Sequence, residues 1–155
     1  IIEKSNFKGN LIEVDDKFQN DALSSFVYKM DIILGVKNEQ ILVFNLKGKG
    51  LVTITGCCHP GVNTMLEYVK NNYGNALYGL YGGLHISLLE DWNEQKAKEI
   101  EKLANWGLEK VAANHCTGVI AVEHMIQKGI NVIGGSAKFA SQSKLYIGNS
   151  DSIEF

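Results

Sequence analysis

Gly50-Leu51-Val52-Thr53-Ile54-Thr55-Gly56-Cys57-Cys58-His59-Pro60-Gly61 is the stretch whose reading decides the fold of this chain. The apolar, β-branched run at 51–55 has the length and composition of a buried strand. Gly56, Pro60 and Gly61 mark a tight turn, and Val62, Met65, Leu66 and Val69 then fall at helical spacing. A strand thus ends in a turn that lifts a histidine clear and runs into a helix. The arrangement recurs downstream in Leu80-Tyr81-Gly82-Gly83-Leu84-His85 and in Val111-Ala112-Ala113-Asn114-His115-Cys116-Thr117-Gly118.

Upstream of Gly50, residues 25–30, 31–37 and 40–46 read as strands that lead into 51–55. The signals Lys37-Asn38-Glu39 and Lys47-Gly48-Lys49-Gly50 separate them, and such close spacing predicts antiparallel hairpins. Residues 1–25 show no sustained period beyond a short strand near 11–14. Downstream, a helix runs from 62 to about 72 and stops at Gly74. A strand at 76–81 follows, then an amphipathic helix over 94–106 closed by Gly107. A strand at 109–113, a helix at 118–128 and short strands at 130–133 and 144–147 complete the pattern. The chain is therefore α/β, a β-meander followed by alternating strands and helices.

With 155 residues, 45% of them hydrophobic, the chain suits one soluble globular domain. Its net charge of −2 gives no electrostatic footprint for nucleic acid. No apolar run approaches the roughly 20 residues of a membrane span, and no secretory leader opens the sequence. Three cysteines, two adjacent, make no disulfide framework; they read as reduced thiols in a cytoplasmic protein. The chain opens on Ile1 without an initiator methionine, which predicts processing or a piece of something longer.

Three of the four histidines, His59, His85 and His115, stand at predicted strand C-termini. Sites in α/β sheets gather beyond such ends, where the loops converge. Three imidazoles there suit a zinc-like ion. His124 falls mid-helix and reads as surface or packing. Cys57 or Cys58 is a nucleophile activated at a helix N-terminus, a thiolate in the metal shell, or a small buried residue. Neighbouring side chains on a strand end point apart, so at most one of the two is well placed. Gly61 and Gly118 open helices whose free N–H groups suit a phosphate, with Thr117 and Asn63 as added donors or as helix caps.

These motifs together resemble the second half of a metallo-β-lactamase superfamily protein over roughly residues 11 to 133. The resemblance is closest to the branch of dihydropterin-linked ribofuranosyl-aminobenzene phosphate synthases. It implies the C-terminal half of an αββα sandwich with one or two divalent metals, usually zinc, activating water on an ester, amide, lactone or phosphoester. His59, His85 and His115 become the metal-side residues, with His59 or a neighbouring cysteine where many relatives carry a bridging aspartate. His85 also lies in the loop that lines the substrate pocket in some relatives; Gly83, Cys58 and Thr117 fall on the substrate side. The family's His-x-His-x-Asp-His motif has no counterpart here, since no two histidines lie within five residues of each other. The chain is therefore expected to be a single partial domain, residues 1–155. Its bare sheet face would then pack against a complementary N-terminal half or a second copy, and the whole would act on a small molecule. The alternative is a binding or assembly domain that keeps the fold without a complete metal site.

Overall fold

The hairpin signal Lys47-Gly48-Lys49-Gly50 and the helical periodicity downstream both materialise, around one sheet. The computed structural model describes residues 17–19, 23–33, 36–74, 76–137 and 143–155. Strands β1 (Lys17–Gln19), β2 (Leu23–Ile33), β3 (Val36–Leu46) and β4 (Gly50–Thr55) pair antiparallel in succession. Helix α1 (Val62–Tyr73) then carries the chain to β5 (Leu77–Gly83), and α2 (Glu94–Ala104) carries it to β6 (Lys110–Asn114). Strands β4, β5 and β6 are parallel, and the six strands lie in sequence order. Helix α3 (Val119–Gln127) follows a 3-10 turn at His115–Thr117.

The element ends follow from local chemistry. Gly74 closes α1 in the left-handed conformation and returns its N–H to the Lys70 carbonyl. Asn93 caps α2 by accepting from the Lys96 N–H at 3.0 Å. Asn63, a candidate cap or phosphate donor, instead joins two helices. Its Nδ2 donates to the Glu99 carbonyl at 2.9 Å and its Oδ1 accepts from Trp106 Nε1 at 2.8 Å.

Register puts Val43, Thr53, Leu80 and Val111 in one row across the sheet. Of these, Val43, Leu80 and Val111 join one buried cluster with Met65, Leu66 and Val69 of α1, Ile100 and Leu103 of α2, and Val122 and Met125 of α3. Each such side chain contributes roughly 1.5–3 kcal/mol on burial. Phe44, Val52 and Gly79 form the adjacent row on the opposite face. That face was expected bare, and the chain's own C-terminal segment covers part of it. Lys49 and Lys110 donate to the carbonyls of Phe155 and Glu154, each at 2.6 Å. The Phe155 ring lies over Gly79, where a Cβ would come within 2.5 Å of it. Between tail and sheet remains an apolar trough of about 390 Å³, lined by Phe44, Val52, Ile54, Tyr81, Ile153 and Phe155 among others.

Several boundaries differ from the sequence reading. Lys37-Asn38-Glu39 is no turn but the start of β3, with Asn38 opposite Lys29 and Glu39 opposite Tyr28. A full ladder partner outweighs the local turn preference of asparagine. The expected strand at 130–133 shrinks to one parallel bridge, Val132 to Val111. Residues 144–147 form a turn that touches the end of β6 through Ile147 N–H and the Ala113 carbonyl at 3.3 Å. The strand near 11–14 lies outside the described residues.

Gly82 shows how tightly the parallel ends approach. Its φ is +132°, and a Cβ would lie 2.6 Å from Thr55 Oγ1 with the Thr55 backbone closer still. Gly82→Ala is expected to lose about 2–4 kcal/mol of stability in urea unfolding. A loss under about 1 kcal/mol would show that the backbone there relaxes freely.

Candidate metal centre at the sheet edge

Parallel pairing aligns Thr55, Gly82 and Ala113, so the turns that follow them leave from one edge of the sheet. The rings of His59 and His85 meet there, centroids 4.7 Å apart and planes inclined at 51°. His115 opens the 3-10 turn, with Nδ1 3.3 Å from Cys57 Sγ. Cys58, His85 and His115 all adopt left-handed backbone, with φ of 63°, 48° and 53°. Each such residue costs about 1–3 kcal/mol, so this edge is held in shape by its surroundings.

Glu39 of β3 supplies much of that hold. Its Oε1 accepts from the Cys57 N–H at 2.8 Å and from the Cys58 N–H, while Oε2 accepts from the His59 N–H at 2.8 Å. Oε2 also lies 2.9 Å from His59 Nδ1. The Glu39 side chain is only 6% exposed. Burial alone would push its carboxyl up, but the amides of Cys58 and His59, the His59 ring and the Cys57 amide outweigh it and hold the pKa below its ordinary value. A carboxylate only accepts, so His59 Nδ1 is the donor in this contact and Nε2 is the ring nitrogen not engaged by Glu39. Sequence reading missed Glu39; its signal was a lone acid in a run that continues as strand.

His85 complements it. Burial lowers its pKa, the charges of His59 and His115 lower it further, and Glu39 opposes them. A neutral imidazole results. Its Nδ1 is buried with no hydrogen-bond partner among the described residues. An orphaned ring nitrogen beside a second imidazole whose Nε2 is free fits a divalent ion.

Two of the substrate-side expectations are corrected. Cys58 is fully buried in the core, and burial pushes its thiol pKa up, so it is neither a surface contact nor a nucleophile. Thr117 is also fully buried. Its hydroxyl donates to the Asn114 carbonyl at 2.8 Å and accepts from the Leu84 N–H at 3.1 Å, tying the His85 loop to the His115 turn. Gly83 works by close approach: a Cβ there would sit 2.9 Å from Cys116 Sγ. The anion site expected after Gly118 is filled from within. Glu90 accepts from the Val119 and Ile120 N–H groups at 2.7 and 2.9 Å. His124, mid-helix as expected, stacks on Trp92 with centroids 3.7 Å apart.

Beside His59 and His85 opens a cleft of about 410 Å³ between the starts of α1 and α2. Thr64, Asn93, Lys96 and Glu99 give it polar walls. A solved structure of a metal-dependent hydrolase of the β-lactamase superfamily superposes on this chain with a TM-score of 0.62 at 22% identity, over 79% of the chain.

Over that part the two chains share one fold.

In sequence, the chain is 31% identical over 96 residues, 59% of its length, to 7,8-dihydropterin-6-methyl-4-(beta-D-ribofuranosyl)-aminobenzene-5'-phosphate synthase of Methanocaldococcus jannaschii. No family model matches. The chain spans 32% of the length of that synthase and 54% of that hydrolase. No helix among the described residues is long and apolar enough to cross a membrane.

Glu39→Gln preserves volume but removes the charge and one acceptor, at an expected cost of about 1–3 kcal/mol near neutral pH. Because the folded carboxyl is held below its ordinary 4.5, its contribution is whole above that pH and is lost as pH falls through the lowered value. Urea unfolding across the acid range should show this dependence in the parent and not in the variant. Parallel curves for the two would refute the assignment.

Proposed function

We propose that this chain supplies the imidazole-bearing part of a divalent-metal centre in a hydrolase of small ester, phosphoester, lactone or pterin-related molecules. One observation carries the reading: His59 is pinned to Glu39 with Nε2 free, against a half-buried His85 whose buried Nδ1 has no hydrogen-bond partner among the described residues. His115 stands at the same edge, with its Nδ1 beside Cys57 Sγ. Nitrogen donors of this kind favour zinc or a similar ion. Bound there, such an ion supplies Lewis acidity toward the substrate's carbonyl or phosphoryl oxygen.

The chain's own residues do the positioning. Glu39 fixes the tautomer and ring direction of His59, the role a carboxylate commonly plays behind a metal-bound imidazole. The cleft offers Asn93 and Thr64 as hydrogen-bonding groups for a polar substrate, while Lys96 on its wall is paired with Asp91. The remaining ligands, and the cover for the apolar trough on the second sheet face, come from a complementary N-terminal half or a second copy. All three cysteines are free thiols, which suits the cytoplasm. The similarity to a hydrolase and to a pterin-linked synthase supports this substrate range.

Elemental analysis and competition with a chromogenic chelator test the reading on the purified protein. His85→Ala is expected to weaken zinc binding by more than about 100-fold, and Glu39→Gln, which only loosens His59, by about 10–100-fold. Unchanged metal content and affinity in His59→Ala and His85→Ala, with circular dichroism intact, would sink the proposal.

A further inference from the structure

Besides the His59–His85 pair, the same edge holds a second set of ligand atoms. Cys57 Sγ, a ring nitrogen of His115 and Cys116 Sγ all lie within 4.8 Å of one another. The thiol of Cys57 and the ring of His115 are already 3.3 Å apart. A tetrahedral zinc, with bonds of about 2.3 Å to sulfur and about 2.1 Å to nitrogen, spaces its ligand atoms about 3.5 Å apart. One pair is thus near the edge length of such a centre, and the third atom lies within 4.8 Å of both.

We propose that Cys57, His115 and Cys116 form a thiolate–imidazole metal subsite, distinct from the His59–His85 pair and suited to zinc or another thiophilic ion. It goes beyond the proposed hydrolase: nothing in it depends on which bond the enzyme cleaves.

Three features support a built site. Gly83 lets the β5 and β6 ends close until Cys116 Sγ lies 2.9 Å from where its Cβ would be, so the two thiols are brought together by a position that excludes a side chain. His115 is held at φ 53°, a left-handed backbone that a histidine rarely adopts, and its Nδ1 meets Cys57 from there. Access is graded, with Cys116 buried, Cys57 half-buried and His115 exposed, so an ion has a way in and dry ligands behind it. The Cys116 thiol donates to the Cys57 carbonyl at 3.3 Å. On binding, that contact breaks and each coordinating thiol releases its proton to solvent as its sulfur takes the ion. Two sulfurs and a nitrogen disfavour magnesium, calcium and manganese, which prefer oxygen.

Cobalt(II) titration of the purified protein, kept reduced with a phosphine, reads the two ligand sets separately. The expected result is a sulfur-to-cobalt charge-transfer band in the near ultraviolet. It should fall by about half in Cys57→Ser or Cys116→Ser, vanish in the double variant and persist in His85→Ala. Cys57 is only half-buried, so Cys57→Ser keeps the test alive where Cys116→Ser misfolds. Visible ligand-field bands without the charge-transfer band would overturn the subsite while leaving the imidazole centre standing. A charge-transfer band that survives the double variant would overturn it too. The band together with unchanged binding in His59→Ala and His85→Ala would uphold the subsite and remove the imidazole pair.

Discussion

The carboxylate of Glu39 is the interaction on which the site edge depends. Where β4 ends, three consecutive amides, those of Cys57, Cys58 and His59, turn toward the same point with no strand to receive them. Buried donors without acceptors would each cost about 1–3 kcal/mol. Glu39 answers all three from the neighbouring strand and binds the His59 ring as well. The antiparallel half of the sheet thereby holds a residue of the parallel half in place. It also lets Cys58 adopt its left-handed backbone, since the turn is fixed from the acceptor side.

Around that anchor, the edge is assembled by parallel register and by the absence of side chains at Gly82 and Gly83. Two further devices keep the loops in place. Thr117 ties the His85 loop to the turn after β6, and Glu90 reaches from that loop to the start of α3. Both use groups that a sequence reading assigns to ligands. The protein instead meets its own unsatisfied amides first, leaving the imidazoles and two of the thiols at the edge.

The two faces of the sheet have different fates. Helices seal one face with aliphatic side chains, while the other keeps an apolar trough that the tail only partly fills. Backbone carbonyls of Glu154 and Phe155, gripped by two lysines, keep that tail on the sheet without strand pairing. The αββα sandwich implied by the resemblance would set a second layer on this face, and the trough is an apolar surface on that side.

Much of this was legible along the chain. The change from hairpin spacing to helical spacing after Gly61 specified an antiparallel meander followed by parallel strands. Three histidines at predicted strand ends do fall at one edge of the sheet, because parallel strands deliver their ends together. Local signals determined these because each lies within one element and its cap. Only the tertiary structure decided which side chains face the site. Glu39 reads as part of a turn until β2 draws it into a ladder, and it becomes an anchor only when β4 lies beside it. Cys57 and Cys58 are adjacent thiols with opposite fates, one at the edge and one in the core. Cys57, His115 and Cys116 come from turns far apart in sequence. Their meeting depends on two glycines that permit close packing, and proximity of that kind is a property of the packed sheet, not of any segment.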